Sequence, residues 1–436
     1  MNARPKWNSS PQAENKGELG YIIRMFPQTS ETFIANEILG LERSGVPLRI
    51  FSYRKPIEKV RHDCVRLIQS RVEYLTDPLW RHPLSLLEAS STVYQLHPLR
   101  YRRALKYAVR RCLQHRRRDY LVRLIQAAYL ARIIGESNVR HIHAHFARGA
   151  TEVAMLVCML TRIPFSFTAH AGDIYTARRD ELTEKIAAAQ FVVTCTRANQ
   201  EYLQALVNQD QRHKIRLSYH GVNLDKFDST ADVRPAQPPL ILSAGRLVEK
   251  KGFPYLLEAC RTLREQGYEF RCVIVGEGPE RAKLEHAVAA LGLNDVVDLP
   301  GSCSQEELLT FYRQSTVFVL SCVVGRNGDR DGIPNVLLEA MAVSLPVIST
   351  PISGIPEVIQ DGRNGLLAPQ RDARALALAI AAVLEDAALR ERLRSNARST
   401  VVERFDSTKN VDVFASLFHG TGIREPQREL PVTQGV

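Results

Sequence analysis

The sequence has no long apolar run. The longest, Ala375 to Leu384, is ten residues, and Val153 to Leu160 makes another of eight, against the roughly 20 a bilayer-spanning helix needs. The opening stretch, MNARPKWNSSPQAENKGELG, has no apolar core of a signal peptide, so residues 1–19 read as a disordered lead-in. C-x-x-C pairs are also missing. The eight cysteines stand singly, several within strand-like runs such as FVVTC and RCVIV, and read as reduced, buried thiols of a cytoplasmic protein. VIVGEGPER has no third glycine and fails as a dinucleotide fingerprint, although Gly276 suits a strand-end turn near a ligand.

Acidic residues are the minority charge: 58 Lys and Arg face 47 Asp and Glu, a net charge of +11. The excess is uneven. Arg100 to Arg123 carries ten basic residues and one acid, with Leu, Tyr, Ala and Val at helical spacing. Such a basic amphipathic helix suits an anionic membrane surface better than nucleic acid, and a solvated face without a partner is the bland alternative.

At 436 residues the chain exceeds one ordinary core. From Gly20 it alternates β-rich runs with helical patterns, which predicts parallel sheets covered by helices. GYIIRM, LRIFSY, HIHAHF, FSFTA, FVVTC and KIRLS make a first series, over 20–228, interrupted by a basic helical insertion at about 80–136. A proline-rich linker at 229–239 leads to LILSAG, RCVIVG, VVDLPG, VFVLSC, PVIST and GLLAP, over 240–400, and residues 401–436 form a last helix and tail. Two doubly wound sheets bind ligands at the carboxyl ends of their strands, so a cleft between the domains is the expected site.

Two segments there carry chemistry. SAGRLVEKKGF puts Arg246 and Lys251 in a glycine-flanked loop before a helix, a donor set suited to a diphosphate or simply a solvated basic turn. In GDRDGIPNVLLEAMA, Glu339 lies inside an apolar helix and Asp331 just before it. A buried carboxylate needs a partner. Either the two acids bind sugar hydroxyls, or Glu339 pairs with a buried Arg and Asp331 caps the helix. His143 and His145 share a strand face, with Asp173 as an imaginable third ligand. No further ligand spacing supports a metal, and none is expected.

DGIPNVLLEAMA, followed by PVIST and GIPEVIQDGRNGLL, resembles the family 4 retaining glycosyltransferases of GT-B fold, and GRLVEKKGF and HGVNLDKF match that family's phosphate loop and first-domain end. FPQTSETFIANEI is similar to a subgroup building bacterial exopolysaccharides of the colanic-acid type. The resemblance implies two Rossmann-like domains facing a cleft. It implies that Arg246 and Lys251 hold the donor diphosphate, Glu339 the ribose and Asp331 the transferred sugar, with Gly332, Ile333, Pro334 and Asn335 between them. The first acid is usually Glu, and Asp331 is one methylene shorter. Ser30, Glu31 and Thr32 replace a glycine-rich loop and could cap a helix facing the diphosphate. His170 is carried over as the residue reaching the donor sugar, with Asp173 beside it and His145 toward the acceptor. The implied reaction moves a sugar from a nucleoside diphosphate to a glycan, lipid-linked, at the inner face of the cell membrane. It needs no cofactor, metal or protein nucleophile. A nucleotide-sugar 2-epimerase and a non-catalytic nucleotide-sugar binding protein are the competing functions.

Overall fold

The computed structural model describes residues 17–28, 32–56, 63–75, 83–116, 118–227 and 236–423. Ser30 and Glu31, most of the lead-in and most of the linker lie outside them. The first sheet has seven strands: β1 (Glu18–Met25), β2 (Leu48–Arg54), β3 (Arg71–Tyr74), β4 (Val139–His145), β5 (Phe165–Ala169), β6 (Val192–Thr194) and β7 (Ile215–Leu217). Their order is β3-β2-β1-β4-β5-β6-β7, and every pairing is parallel. The second sheet holds β8 (Leu240–Ala244), β9 (Arg271–Val275), β10 (Val297–Gly301), β11 (Val317–Val319), β12 (Val347–Ser349) and β13 (Leu366–Leu367). It is ordered β10-β9-β8-β11-β12-β13, again parallel throughout.

Central strands such as FSFTA and LILSA are buried at every position, as sheets covered on both faces require. β3 was not expected from the sequence. RVEY carries two charges in four residues and lies at the sheet edge, part-exposed, so it has no apolar run to betray it.

The insertion forms three helices, Pro83–Leu96, Pro98–His115 and Asp119–Gly135. The single basic helix expected over 100–123 is therefore broken. Arg116 takes a left-handed conformation, φ 50°, and its N–H caps Cys112 O. Not every cation there is free for a partner, because Arg111 is buried against Asp180 and Glu184.

After the second sheet the chain returns. Val222 N donates to Phe405 O (2.9 Å) and Ser407 N to Val222 O (3.1 Å), so the two crossings between domains run side by side. The helix Ser407–Ser416 then lies on the helix Thr32–Arg43, and Phe414 and Phe418 join a core with Leu19, Tyr21 and Ile38.

A buried ion pair secures the loop after β4. Lys185 Nζ donates to Ala147 O at 2.7 Å and meets Glu152 at 3.1 Å, both side chains being almost fully buried. Breaking such a pair costs roughly 3–5 kcal/mol. Arg123 also faces Glu152, at 3.5 Å. Lys185→Met should therefore cost about 3 kcal/mol, the lower end of that range, measured by urea denaturation. An unchanged midpoint would mean the pair does not hold this loop.

Candidate active site

The loops after β8 and β11 bring the first set of charges together. Gly252 (φ 66°) turns the chain into the helix Phe253–Glu265, and a Cβ there would lie 1.8 Å from Ser321 O, so only glycine fits. This close approach fixes the loop bearing Lys250 and Lys251. Lys251 Nζ lies 2.7 Å from Asp331 Oδ2, and Lys250 Nζ 3.3 Å from Oδ1. Burial pushes the Asp331 carboxyl up, but the two ammonium groups outweigh it and hold the group below its usual range. Burial lowers Lys251 while Asp331 raises it, and the net shift is upward. Both groups are charged at neutral pH. Asp331 caps no helix: the N-cap of Asn335–Ala342 is Pro334, without a side-chain cap. Arg246 is exposed, with no side-chain hydrogen bond or ion pair among the described residues.

Glu339 is buried one turn inside the Asn335–Ala342 helix and accepts from Tyr312 Oη and Gln305 Nε2, both at 3.0 Å. It borders a cavity of about 310 Å³ with Asn335, Leu338 and Gln305 on one wall. Phe33, Asn36 and Arg43 of the first domain form the other. Tyr312 and Gln305 were not anticipated. Their only sequence signal was an apolar helix with an acid that needed donors.

Across the cleft, His170 follows β5. Its ring stacks on His220 (centroids 5.3 Å, 14° between planes) and lies against Phe33 at 5.1 Å. Beneath it, His145 Nδ1 meets His170 Nε2 at 3.2 Å, and His145 Nε2 meets Glu37 at 2.9 Å and the Tyr21 hydroxyl. His145 was expected to face the acceptor. Instead it is fully buried, a support that orients His170. Asp173 is likewise directed inward: its carboxylate accepts from His170 N (2.8 Å) and from Ala147 N, tying two strand-end loops together. Gly276, expected near the ligand, is buried, and a Cβ there would lie 2.0 Å from Gly245 O. Its role is to let two loops cross. Thr32 begins the helix Thr32–Arg43. His220 opens the segment HGVNLDKF, where no local pattern in the sequence marks it as part of the site.

The two halves of the site meet. A Cβ on Gly332 would lie 3.2 Å from Thr196 Cγ2 and 3.8 Å from Ala171 Cβ, so the Asp331 loop abuts the loops after β5 and β6. Ile333 packs behind it against Gly354. Glu357 links the domains by accepting from Arg197 N (2.8 Å), Ala198 N (2.9 Å) and Tyr219 Oη (2.8 Å).

Sequence and fold comparisons bear on this cleft. WcaL of Escherichia coli K12, named as a colanic acid biosynthesis glycosyltransferase, is 31% identical over 377 residues, 84% of this chain and 90% of WcaL. The chain belongs to the family 4 glycosyltransferases. A Glycosyltransferase Family 4 model matches residues 30–226 and a Glycosyl transferases group 1 model residues 226–400. AmsK of Erwinia amylovora, named for amylovoran biosynthesis, is 43% identical over 164 residues, 38% of this chain and 40% of AmsK. In fold, the glycosyltransferase resembles HepE of Anabaena, solved with UDP and glucose (TM-score 0.70, 16% identity, 93% of this chain and 100% of HepE). It also resembles sucrose-phosphate synthase of Thermosynechococcus elongatus (TM-score 0.68, 20% identity, 92% and 98%). The architecture is GT-B.

Burial holds four histidines of the first domain below their ordinary pKa of 6.5: His141 near 3, His220 near 4, and His143 and His170 well below. A base with a depressed folded pKa binds fewer protons in the native state. Its contribution is complete above the unfolded pKa and is lost as pH falls toward the folded one. Asp173 acts oppositely: burial outweighs its hydrogen bonds and raises it to about 6, so it favours the protonated native state below that pH. Each titrating group changes stability by up to about 1.4 kcal/mol per pH unit, and the histidines outnumber the acid. The melting temperature should fall between pH 6.5 and 5. A flat or rising profile would contradict the buried neutral cluster.

Proposed function

We propose that this glycosyltransferase moves a sugar from a nucleoside diphosphate to a hydroxyl of a lipid-linked glycan, with retention of configuration and without a metal ion, during exopolysaccharide assembly. The observation carrying this reading is the charge arrangement at the mouth of the Asn335–Ala342 helix. Lys251 and Lys250 flank Asp331 there, while Glu339 sits inside the helix on a cavity wall. Support for a nucleotide-sugar donor comes from HepE, which has been solved in complex with UDP-glucose. Support for the pathway comes from the names of WcaL and AmsK.

In this reading Glu339, oriented by Tyr312 and Gln305, accepts from the two ribose hydroxyls. Arg246 and Lys251 meet the diphosphate. As the bond to the sugar breaks, negative charge grows on the departing phosphate, and fixed cations aimed at it lower the barrier; losing one such donor typically costs about 10²–10³ in rate. Asp331 and His170 contact the transferred sugar from opposite sides of the cleft. The neutral His170 ring, held by His145, offers a hydrogen bond without adding charge. The departing phosphate takes the acceptor proton, so no protein nucleophile is assigned.

Glu339→Ala should weaken nucleoside-diphosphate binding, whereas Asp331→Ala should chiefly lower turnover. Arg246→Ala and Lys251→Ala should each cut the rate by at least about tenfold at saturating donor, and chelation should leave activity intact. The assay distinguishes competitors: a transferase releases nucleoside diphosphate only with acceptor, an epimerase interconverts the donor alone, and a binder does neither. Wild-type behaviour of both carboxylate variants would sink the assignment.

The acceptor side supports a membrane partner. Of 14 exposed large hydrophobics among the described residues, 11 fall between Leu84 and Ile125, and Leu84, Leu87, Leu99 and Leu113 are at least two-thirds exposed. Arg102, Arg103, Lys106 and Arg110 are interleaved and exposed. Arg100 reaches the carbonyls of Leu160 and Thr161, at the far end of the Ala150–Thr161 helix. The Pro98–His115 helix therefore runs back toward the strand-end rim that bears the cleft. No helix among the described residues is long and apolar enough to cross a membrane. We read the patch as a peripheral contact with the inner face of the cell membrane, each cation contributing on the order of 1 kcal/mol. Replacing Arg102, Arg103 and Lys106 with Gln should reduce sedimentation with anionic vesicles while sparing donor binding. Equal sedimentation of wild type and variant with anionic and neutral vesicles would favour a soluble acceptor.

A further inference from the structure

Among the described residues, two groups of side chains able to ligate a metal lie in the first domain, and they differ in one respect. Glu37, His143 and His145 are buried and already satisfied: His143 by Ser166 (2.8 Å) and Thr168 (2.9 Å), Glu37 and His145 by each other and Tyr21. That group has no ligand atom to spare. His170, Cys195 and His220 are not closed in this way. They follow β5, β6 and β7, three adjacent parallel strands, so the sheet itself sets them side by side at its carboxyl rim. One ligand atom from each lies within 4.8 Å of the others. His220 Nε2 is buried with no hydrogen-bond partner among the described residues. His170 gives Nε2 to His145, which fixes its ring, and its other nitrogen faces Asp173 N in a capping box, a contact that a bound cation would replace. Cys195 is buried, while both histidines reach the cleft surface, so an ion has a path in.

We propose that His170, Cys195 and His220 bind one thiophilic divalent cation, with Zn²⁺ the best fit, and that filling this site stops glycosyl transfer by occupying His170. Two imidazoles and one thiolate, with the fourth position open to the cleft, are a Zn²⁺ donor set with an exchangeable coordination position. Zn–N bonds of about 2.0–2.1 Å and a Zn–S bond of about 2.3 Å put ligand atoms roughly 3.3–3.7 Å apart. Closing the observed separations by about 1 Å lies within side-chain rotation. Binding replaces the Cys195 S–H proton with the cation and releases that proton to solvent. Mg²⁺, which prefers oxygen ligands in an octahedral shell, does not suit this set. The cation is an inhibitor here rather than a cofactor, so the metal-free transfer stands beside it. The binding claim does not depend on the transferase reading; the inhibition claim does.

Full-length protein freed of metal by chelation and titrated with Co²⁺ should develop a thiolate-to-cobalt charge-transfer band, saturating at one ion per chain and bleached by Zn²⁺. Cys195→Ser should lose the band although seven other cysteines remain. His220→Asn should weaken Zn²⁺ binding at least about tenfold, the loss expected even for a supporting residue of a metal site. In the transfer assay, Zn²⁺ but not Mg²⁺ should suppress wild type, a chelator should restore it, and Cys195→Ser should keep its basal rate and resist Zn²⁺. Absence of the band, or its persistence in Cys195→Ser, overturns the site. A band in wild type with undiminished transfer overturns the inhibition. If no donor supports transfer at all, the cobalt titration still decides the site by itself.

Discussion

Every strand in both sheets runs parallel to its neighbours, and this shared direction decides where chemistry can occur. Each strand must be followed by a loop at the same rim, so the residues after β4, β5, β6 and β7 form one surface and those after β8, β9 and β11 another. His170, Cys195, Thr196 and His220 arise on the first, and Lys250, Lys251 and Asp331 on the second. The Gly332 contact with Thr196 and Ala171 is the place where the two rims touch. Nothing in the residues themselves would assemble them, since they come from widely separated parts of the chain.

The two rims treat charge in opposite ways. The second domain keeps opposite charges together at its rim, with Asp331 answering two lysines. The first keeps its acids off the rim: the histidines are desolvated, and the carboxylates of Asp173 and Glu37 are turned inward to backbone amides, Tyr21 and His145, while the exposed charges there, Arg148 and Arg197, are basic. The cleft therefore has paired lysine and aspartate charges on one wall and desolvated imidazoles on the other.

The sequence revealed much of this. Twelve of the thirteen strands stood out as apolar runs, and Glu339 declared itself as an acid inside an apolar helix. The misses have physical reasons. β3 lies at an edge, where half the side chains meet water. The basic stretch looked like one helix because periodicity does not record the left-handed residue at Arg116. His145 sits at a strand end, which gives the rim but not the direction of its side chain, and the motif that carries His170 over does not tell which way Asp173 turns. Tyr312 and Gln305 come from a neighbouring helix, and no local pattern relates them to Glu339.

The paired crossings at Val222 and Phe405–Ser407 mean that the first domain is not a continuous piece of chain. Phe414 and Phe418 complete its core although the whole of the second sheet and its helices precede them in the chain. Fusing the second domain of this chain to the first domain of a relative therefore takes two cuts rather than one. A chimaera joined only near 228 would give each first domain a foreign closing helix, and its Tyr21, Ile38 and Phe418 would have to be matched as a set. For enzymes of this layout, recombination that swaps sugar donors is constrained less by the cleft than by the last twenty described residues.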